Sequence, residues 1–200
     1  MKKGLLIICA VSIGALISSC SSSVSGGESL LEALEELDQK VKYEKVDVAG
    51  LYSMEIPDYM TSTTLLNDQA SLQYNHLSKE EYIIVINESK QEFVDLLELL
   101  DMYDEDMSVV ENFAAQQSEL LTEGLTVIQK SDMEKVNGKL PMCGLELDAR
   151  MAGIPDPISY YYGFVEGEEN LYTVMTWTLL SNKEKYHREA LHMIKSLEEK

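Results

Sequence analysis

Three histidines, a run of tyrosines and a clustered set of acids are the side chains of this 200-residue chain whose types could support chemistry. His187 and His192 stand five apart on a stretch of helical period. That is about 140° around an axis of roughly 3.6 residues per turn, so they diverge where a zinc pair at i and i+4 would converge. His76 is alone beside a strand-like run. Asp101, Asp104, Glu105 and Asp106 gather between two helical patterns, and oxygen-rich loops can hold calcium. The alternating acids and turn glycine of an EF-hand loop are missing, so a solvated acidic loop is the plainer reading. No metal and no dissociable cofactor are expected. The chain has no Gly-rich phosphate loop, no G-x-S-x-G elbow and no H-E-x-x-H. Its scattered Ser, His and Asp lack the spacing of a triad, so no catalytic residue is singled out and no enzyme is expected.

The tyrosines are more informative. In Tyr160-Tyr161-Tyr162-Gly163-Phe164 the strand period of two puts Tyr160, Tyr162 and Phe164 on one face and Tyr161 on the other. Two readings are open: a packed sheet whose hydroxyls find partners, or a ligand groove or docking surface, where Tyr is enriched. These three residues are the candidate binding set. Tyr52, Tyr59, Tyr74 and Tyr82 would extend it if folding brings them together. Cys143, between Met142 and Gly144 at the head of an apolar strand pattern, reads as a buried and inert thiol.

Helices and strands must position these groups. Leu30, Leu34, Leu37 and Val41 give Glu28 to Val41 a helical period. Val46 to Ile56 reads as one strand ended by Pro57. Ala70 to His76 and Tyr82 to Asn87 follow, and Tyr82-Ile83-Ile84-Val85-Ile86, with no polar face, should be a central strand covered on both sides. Ser89 to Asp101 turns helical, with Ser89 and Glu92 placed as a cap, and a second helix fits Ser108 to Thr122, with Val110, Phe113, Ala114, Gln117 and Leu121 on its inner side. Leu125 to Lys135 reads as a strand leading to Asn137-Gly138, a strong hairpin signal. Leu145, Leu147, Ala149 and Met151 alternate with Glu146, Asp148 and Arg150, a strand with one wet face. Ile158 to Val165 and Leu171 to Leu180 form a further hairpin. Ser181 and Glu184 open a closing helix with Tyr186, Ala190, Met193, Ile194 and Leu197 inside.

The first twenty residues read as an address. Lys2 and Lys3 precede 13 nearly uncharged residues, Gly4 to Leu16, too few for the ~20 that span a bilayer as a helix. The stretch ends in Leu16-Ile17-Ser18-Ser19-Cys20, which resembles the lipobox of bacterial lipoproteins. That resemblance implies a signal peptide over residues 1–19, removed by cleavage, and a diacylglycerol thioether on Cys20. Residues 20–28, rich in Ser and Gly, then form a flexible tether, and a single α+β domain is expected over 29–200. Several acyl chains are needed for stable anchoring, because one binds only reversibly. Ser21 after the Cys resembles lipoproteins passed to the outer membrane. The periplasmic face is the expected location, with surface display as the alternative.

The chain carries 16 Lys+Arg against 35 Asp+Glu, a net charge of −19, which becomes −21 once residues 1–19 are gone. Such acidity excludes a direct grip on nucleic acid or anionic head groups. Helices on both faces of a six- or seven-stranded, mainly antiparallel sheet make a three-layer α/β/α sandwich of α+β type. The opening Tyr52-Ser53-Met54-Glu55-Ile56-Pro57-Asp58-Tyr59-Met60, the stretch Leu65 to Tyr74 and the order of elements over 46–198 resemble the PsbP/Mog1-like fold. Members of that fold are mostly non-enzymatic subunits, small-protein binders and lipoproteins. The lipobox, the tether and the missing catalytic motifs together point to a lipid-anchored, non-catalytic accessory or binding subunit on the periplasmic face of the outer membrane, with the membrane and an outer-membrane or envelope protein as its expected partners. A small-ligand-binding periplasmic lipoprotein, using the tyrosine-lined sheet face, is the alternative.

Overall fold

The structure, a computed structural model, describes residues 41–200. The expected signal segment, Cys20, the tether and all but the last residue of the Glu28–Val41 helix lie outside the described residues.

The fold is α+β, built on a large antiparallel sheet with helices on both of its faces. Seven strands run in the order β3 (Thr61–Ser62), β4 (Leu72–His76), β5 (Glu81–Ser89), β10 (Asn170–Leu179), β9 (Ile158–Glu166), β8 (Met142–Met151) and β6 (Leu125–Lys130). An eighth, β7 (Glu134–Val136), shares the outer edge of β8 with β6. The central strand β5 is covered on both sides as its unbroken apolar run requires, with Ile83, Ile84, Val85 and Ile86 all buried.

Two of the runs expected to be single strands are divided, each for a local reason. The 125–135 run breaks where Ser131 leaves the ladder and grips Glu146, its N–H donating to the Glu146 carbonyl at 2.9 Å and its Oγ accepting the Glu146 N–H at 2.9 Å. The 46–56 run is not one strand. It is a hairpin, β1 (Tyr43–Val48) and β2 (Tyr52–Pro57), turning at Ala49-Gly50. Both turn residues have positive φ, 50° and 74°, and the turn is closed by the Leu51 N–H on the Val48 carbonyl at 2.9 Å. Alanine in that region is unusual, so composition does not announce the turn. This hairpin and the two-residue β11 (Glu198–Glu199) form a separate three-stranded sheet.

One face of the large sheet carries α1 (Lys90–Leu99) and α2 (Val109–Leu120). Ser89 Oγ accepts the Glu92 N–H at 3.3 Å at the start of α1, as the Ser89/Glu92 spacing predicts, and Glu111 likewise accepts the Ser108 N–H at 3.0 Å at the start of α2. Phe93, Phe113 and Phe164 interlock edge to face across this layer, with centroids 5.3 and 5.9 Å apart. The other face carries α3 (Lys183–Lys195) and the small sheet around a second core of Tyr52, Met54, Ile83, Val174, Met193 and Ile194. Asn182 rather than Ser181 occupies the cap of α3. The Asn137-Gly138 signal does mark a hairpin, but Val136 pairs with Met142, so its loop is five residues long.

Candidate functional site

The aromatic face of β9 is where the structure leaves room. Tyr160, Tyr162 and Phe164 share one side of the strand as its period dictates, with Tyr160–Tyr162 centroids at 5.9 Å and Tyr162–Phe164 at 6.4 Å. Phe164 is fully buried under Phe113. Further along, beyond the last turn of α2, a cavity of about 240 Å³ opens over Tyr160 and Tyr162. Ile84 and Ile86 of β5 and Met175 of β10 form its floor beside the tyrosines, and Leu120, Leu121 and Leu125 close it from the α2–β6 connection. Exposed Glu123 and Gly124 sit at its rim. The structure thus brings Tyr160 and Tyr162 to one cavity and sets Phe164 apart from its lining.

Polar groups at the cavity are few. The Tyr160 hydroxyl is buried and has no hydrogen-bond partner among the described residues. Burial pushes its pKa up to about 12, so it is a neutral donor at physiological pH. Gln117, on the cavity wall, donates from Nε2 to Glu88 Oε1 at 3.2 Å, and burial raises the Glu88 carboxyl above its usual range. The other tyrosines go elsewhere. Tyr82 stacks on Trp177 at 5.1 Å within the same core, whereas Tyr52, Tyr59 and Tyr74 pack into the opposite one.

Two titratable clusters lie on the α3 face. Glu81 is 3% exposed; its Oε2 accepts the Tyr59 hydroxyl at 2.8 Å and its Oε1 has no partner. Its carboxyl is pushed up to about 7, chiefly by burial; the Tyr59 bond opposes this, the Glu189 charge adds to it, and Lys79 and Lys185 hold it down. A pKa near neutrality suits a general acid or base. The adjoining cleft, however, holds only about 30 Å³, room for a water or two and not for a substrate. The second cluster covers the face of β8 expected to be wet. Lys183 reaches Glu146 at 2.8 Å and Asp148 at 3.0 Å, and Ser159 Oγ donates to Asp148 at 2.6 Å. Sequence missed this because Lys183 lies 35 residues beyond Asp148 and meets it only after α3 docks.

The histidines separate as their spacing demands. His76 Nδ1 accepts the Lys79 N–H at 3.2 Å, His187 leans on Glu146 at 3.4 Å, and His192 meets Glu55 at 2.6 Å. In the 101–106 loop the backbone is anchored by Asn112, which accepts the Asp104 N–H at 3.0 Å and donates back to its carbonyl at 2.9 Å. Among the described residues no three His, Cys, Asp or Glu side chains converge as a metal would require. Cys143 is buried in the core under α2, and burial raises its thiol pKa further.

No protein-family model matches the sequence, and no curated protein matches it. Among solved structures the chain is similar to the cyanobacterial PsbP of Synechocystis sp. PCC 6803, with a TM-score of 0.49 at 10% identity over 82% of this chain and 95% of that one. It is also similar to LpqN, involved in cell envelope biogenesis of Mycobacterium tuberculosis, with a TM-score of 0.47 at 10% identity over 88% and 99%. The Ran-binding protein Mog1p of Saccharomyces cerevisiae gives 0.46 at 10% identity over 80% and 96%. The α+β assignment stands on the sheet and helices themselves.

Proposed function

We propose that the protein is a lipid-anchored, non-catalytic binding protein of a bacterial envelope. Cys20 holds it on the periplasmic face of the outer membrane, and the cavity beside Tyr160 and Tyr162 takes a small ligand. The observation that carries the ligand reading is the cavity itself. A volume of about 240 Å³ with mostly apolar walls is unusual inside a chain whose other layers are close-packed. The anchor reading rests on the Leu16-to-Cys20 motif and the Ser/Gly tether behind it.

Native mass spectrometry of the lipidated protein, purified gently from mild-detergent envelope extracts, tests both parts. The expected spectrum shows the acyl mass on Cys20 and a small molecule lost on denaturation. The Cys20→Ala form should lose the acyl mass and leave the outer-membrane fraction while keeping the ligand. Repeated ligand-free spectra, with a stoichiometric membrane protein captured by cross-linking, would instead favour an accessory subunit. That second reading has its own support: Leu99, Leu100 and Met102, exposed by 82, 48 and 47%, lie together at the end of α1.

A further inference from the structure

Charge and exposed apolar surface coincide in the turn between α1 and α2. Residues 91–129 hold ten of the chain's 35 Asp and Glu and no Lys, Arg or His. Asp95, Glu98, Asp101, Asp104, Glu105 and Asp106 are exposed, and none makes an ion pair among the described residues. Among these acids stand Leu99, Leu100 and Met102, the exposed apolar group at the end of α1.

The turn that displays them is held in one shape. The N–H groups of Leu100, Asp101 and Met102 donate back to the carbonyls of Leu96, Glu98 and Leu97 at 3.1, 3.1 and 2.9 Å. Asp101 takes the left-handed backbone of a helix end, with φ of 57°. Beyond it Tyr103 packs against the core, and buried Asn112 grips the Asp104 backbone through both its N–H and its carbonyl. A turn already fixed loses little conformational freedom on binding, so its apolar side chains are suited to act as anchors.

The charge around the anchors selects what covers them. Nucleic acid, an anionic lipid surface or a second copy of a chain with net charge −19 would each meet this stretch with like charge. A protein surface with an apolar centre ringed by Lys and Arg satisfies both features together. We infer that Leu99, Leu100 and Met102 are the docking anchors for a basic, apolar-centred protein surface, an assignment that rests on the accessory-subunit reading and is independent of the cavity.

Three labelled amphipathic peptides are the probes: one of Leu and Lys, one with Glu in place of Lys, and one with Ser in place of Leu. Each is titrated against the lipidated full chain in mild detergent, with detergent alone as the blank. The Leu/Lys peptide should bind about tenfold or more tighter than the other two, and more weakly as salt rises. Leu99→Ser with Met102→Ser should cost about tenfold. Glu98→Gln with Asp101→Asn should weaken the salt dependence, and Asn tolerates the left-handed backbone at 101. All four positions are exposed, so an unchanged urea midpoint should show that both variants fold. A Lys/Ser or Leu/Glu peptide binding as tightly, a double-Ser variant binding as before, or no binding by any peptide overturns the assignment. Self-association, or binding to phosphatidylcholine vesicles, that the double-Ser variant abolishes would give the patch to a second copy or to lipid and overturn it as well. If the double-Ser variant still captures the cross-linked membrane protein from envelope extracts, the accessory reading stands on another face. If neither form captures one, that reading itself falls.

Discussion

Adjacent residues of β9 face two different kinds of interior. On the α3 side, Gly163 lies so close to the helix that an added Cβ would collide with the Ile194 side chain, and Ile194, Met193 and Leu197 are fully buried. On the opposite side, Tyr162 looks into a cavity of about 240 Å³. The same strand therefore supports close packing at one residue and a void at the next. Strand geometry and shortage of apolar residues cannot explain the void, because both faces are rich in Ile, Leu, Met and aromatic groups. The difference lies in what covers each face. Helix α3 lies directly on β9, whereas α2 ends at Leu120, before its cover extends over Tyr160 and Tyr162. A void costs the dispersion contacts its lining forgoes. Close packing marks the face that stabilises, and the void marks the face proposed to bind.

The sharpest way to break that contrast is to overfill the tight face. Gly163→Val places a branched side chain where no Cβ fits, and α3 must lift from β9 to admit it. The expected loss is about 3 kcal/mol, the upper end of the overpacking range, read as a lower denaturation midpoint in urea. A loss under about 1 kcal/mol would show that α3 is loosely held and that the two faces do not differ in packing as described.

The tight face also contains its own weak point. Glu81 is buried with one oxygen unpartnered, and its folded pKa, raised from 4.5 to about 7, exceeds the value in the unfolded chain. A raised folded pKa means the native state binds the proton more tightly. Its contribution is fully present below pH 4.5 and is lost as pH rises through 7. Glu81→Gln removes that dependence while its amide oxygen still accepts the Tyr59 hydroxyl. The variant should be about 3 kcal/mol more stable than the parent at pH 8, and nearly equal to it at pH 4. Equal gains at both pH values would mean that Glu81 does not titrate between them.

What the sequence discloses and what it conceals divide along the same lines. The period-two pattern at Tyr160, Tyr162 and Phe164 and the unbroken run at Ile83–Ile86 are local, and both reappear in the fold. The Ser89 cap is local too. The turn at Ala49-Gly50 is hidden because alanine there adopts a left-handed backbone that its composition does not advertise. The cavity is hidden for a different reason. A void is the place where α2 stops at Leu120 relative to strand residues as far along the chain as Met175, and no residue type encodes that distance. Gln117 and Leu121 fall on the inner side of the α2 pattern in the sequence, so the helix face is legible. That their side chains border a cavity rather than a filled core is not. Lys183 over Glu146 and Asp148 is a third case, where a strand face that reads as wet is covered by a helix arriving later in the chain.

The smallest expected effect is the most discriminating for the cavity face. Leu121 is half-buried at the cavity wall, so Leu121→Phe can extend into the empty volume without displacing a packed neighbour. Filling a void restores dispersion contacts, and cavity-filling changes commonly stabilise by about 0.5–2 kcal/mol; about 1 kcal/mol is expected here. The same ring occupies space a ligand needs, so the small molecule seen by native mass spectrometry should be depleted or lost as the unliganded midpoint rises. Opposite movement of the two readings is what separates a binding cavity from a packing defect. A rise in stability with the small molecule retained would mean that its seat lies elsewhere. A fall in stability would mean that the volume over Tyr160 and Tyr162 is already committed to side-chain motion that a larger ring obstructs.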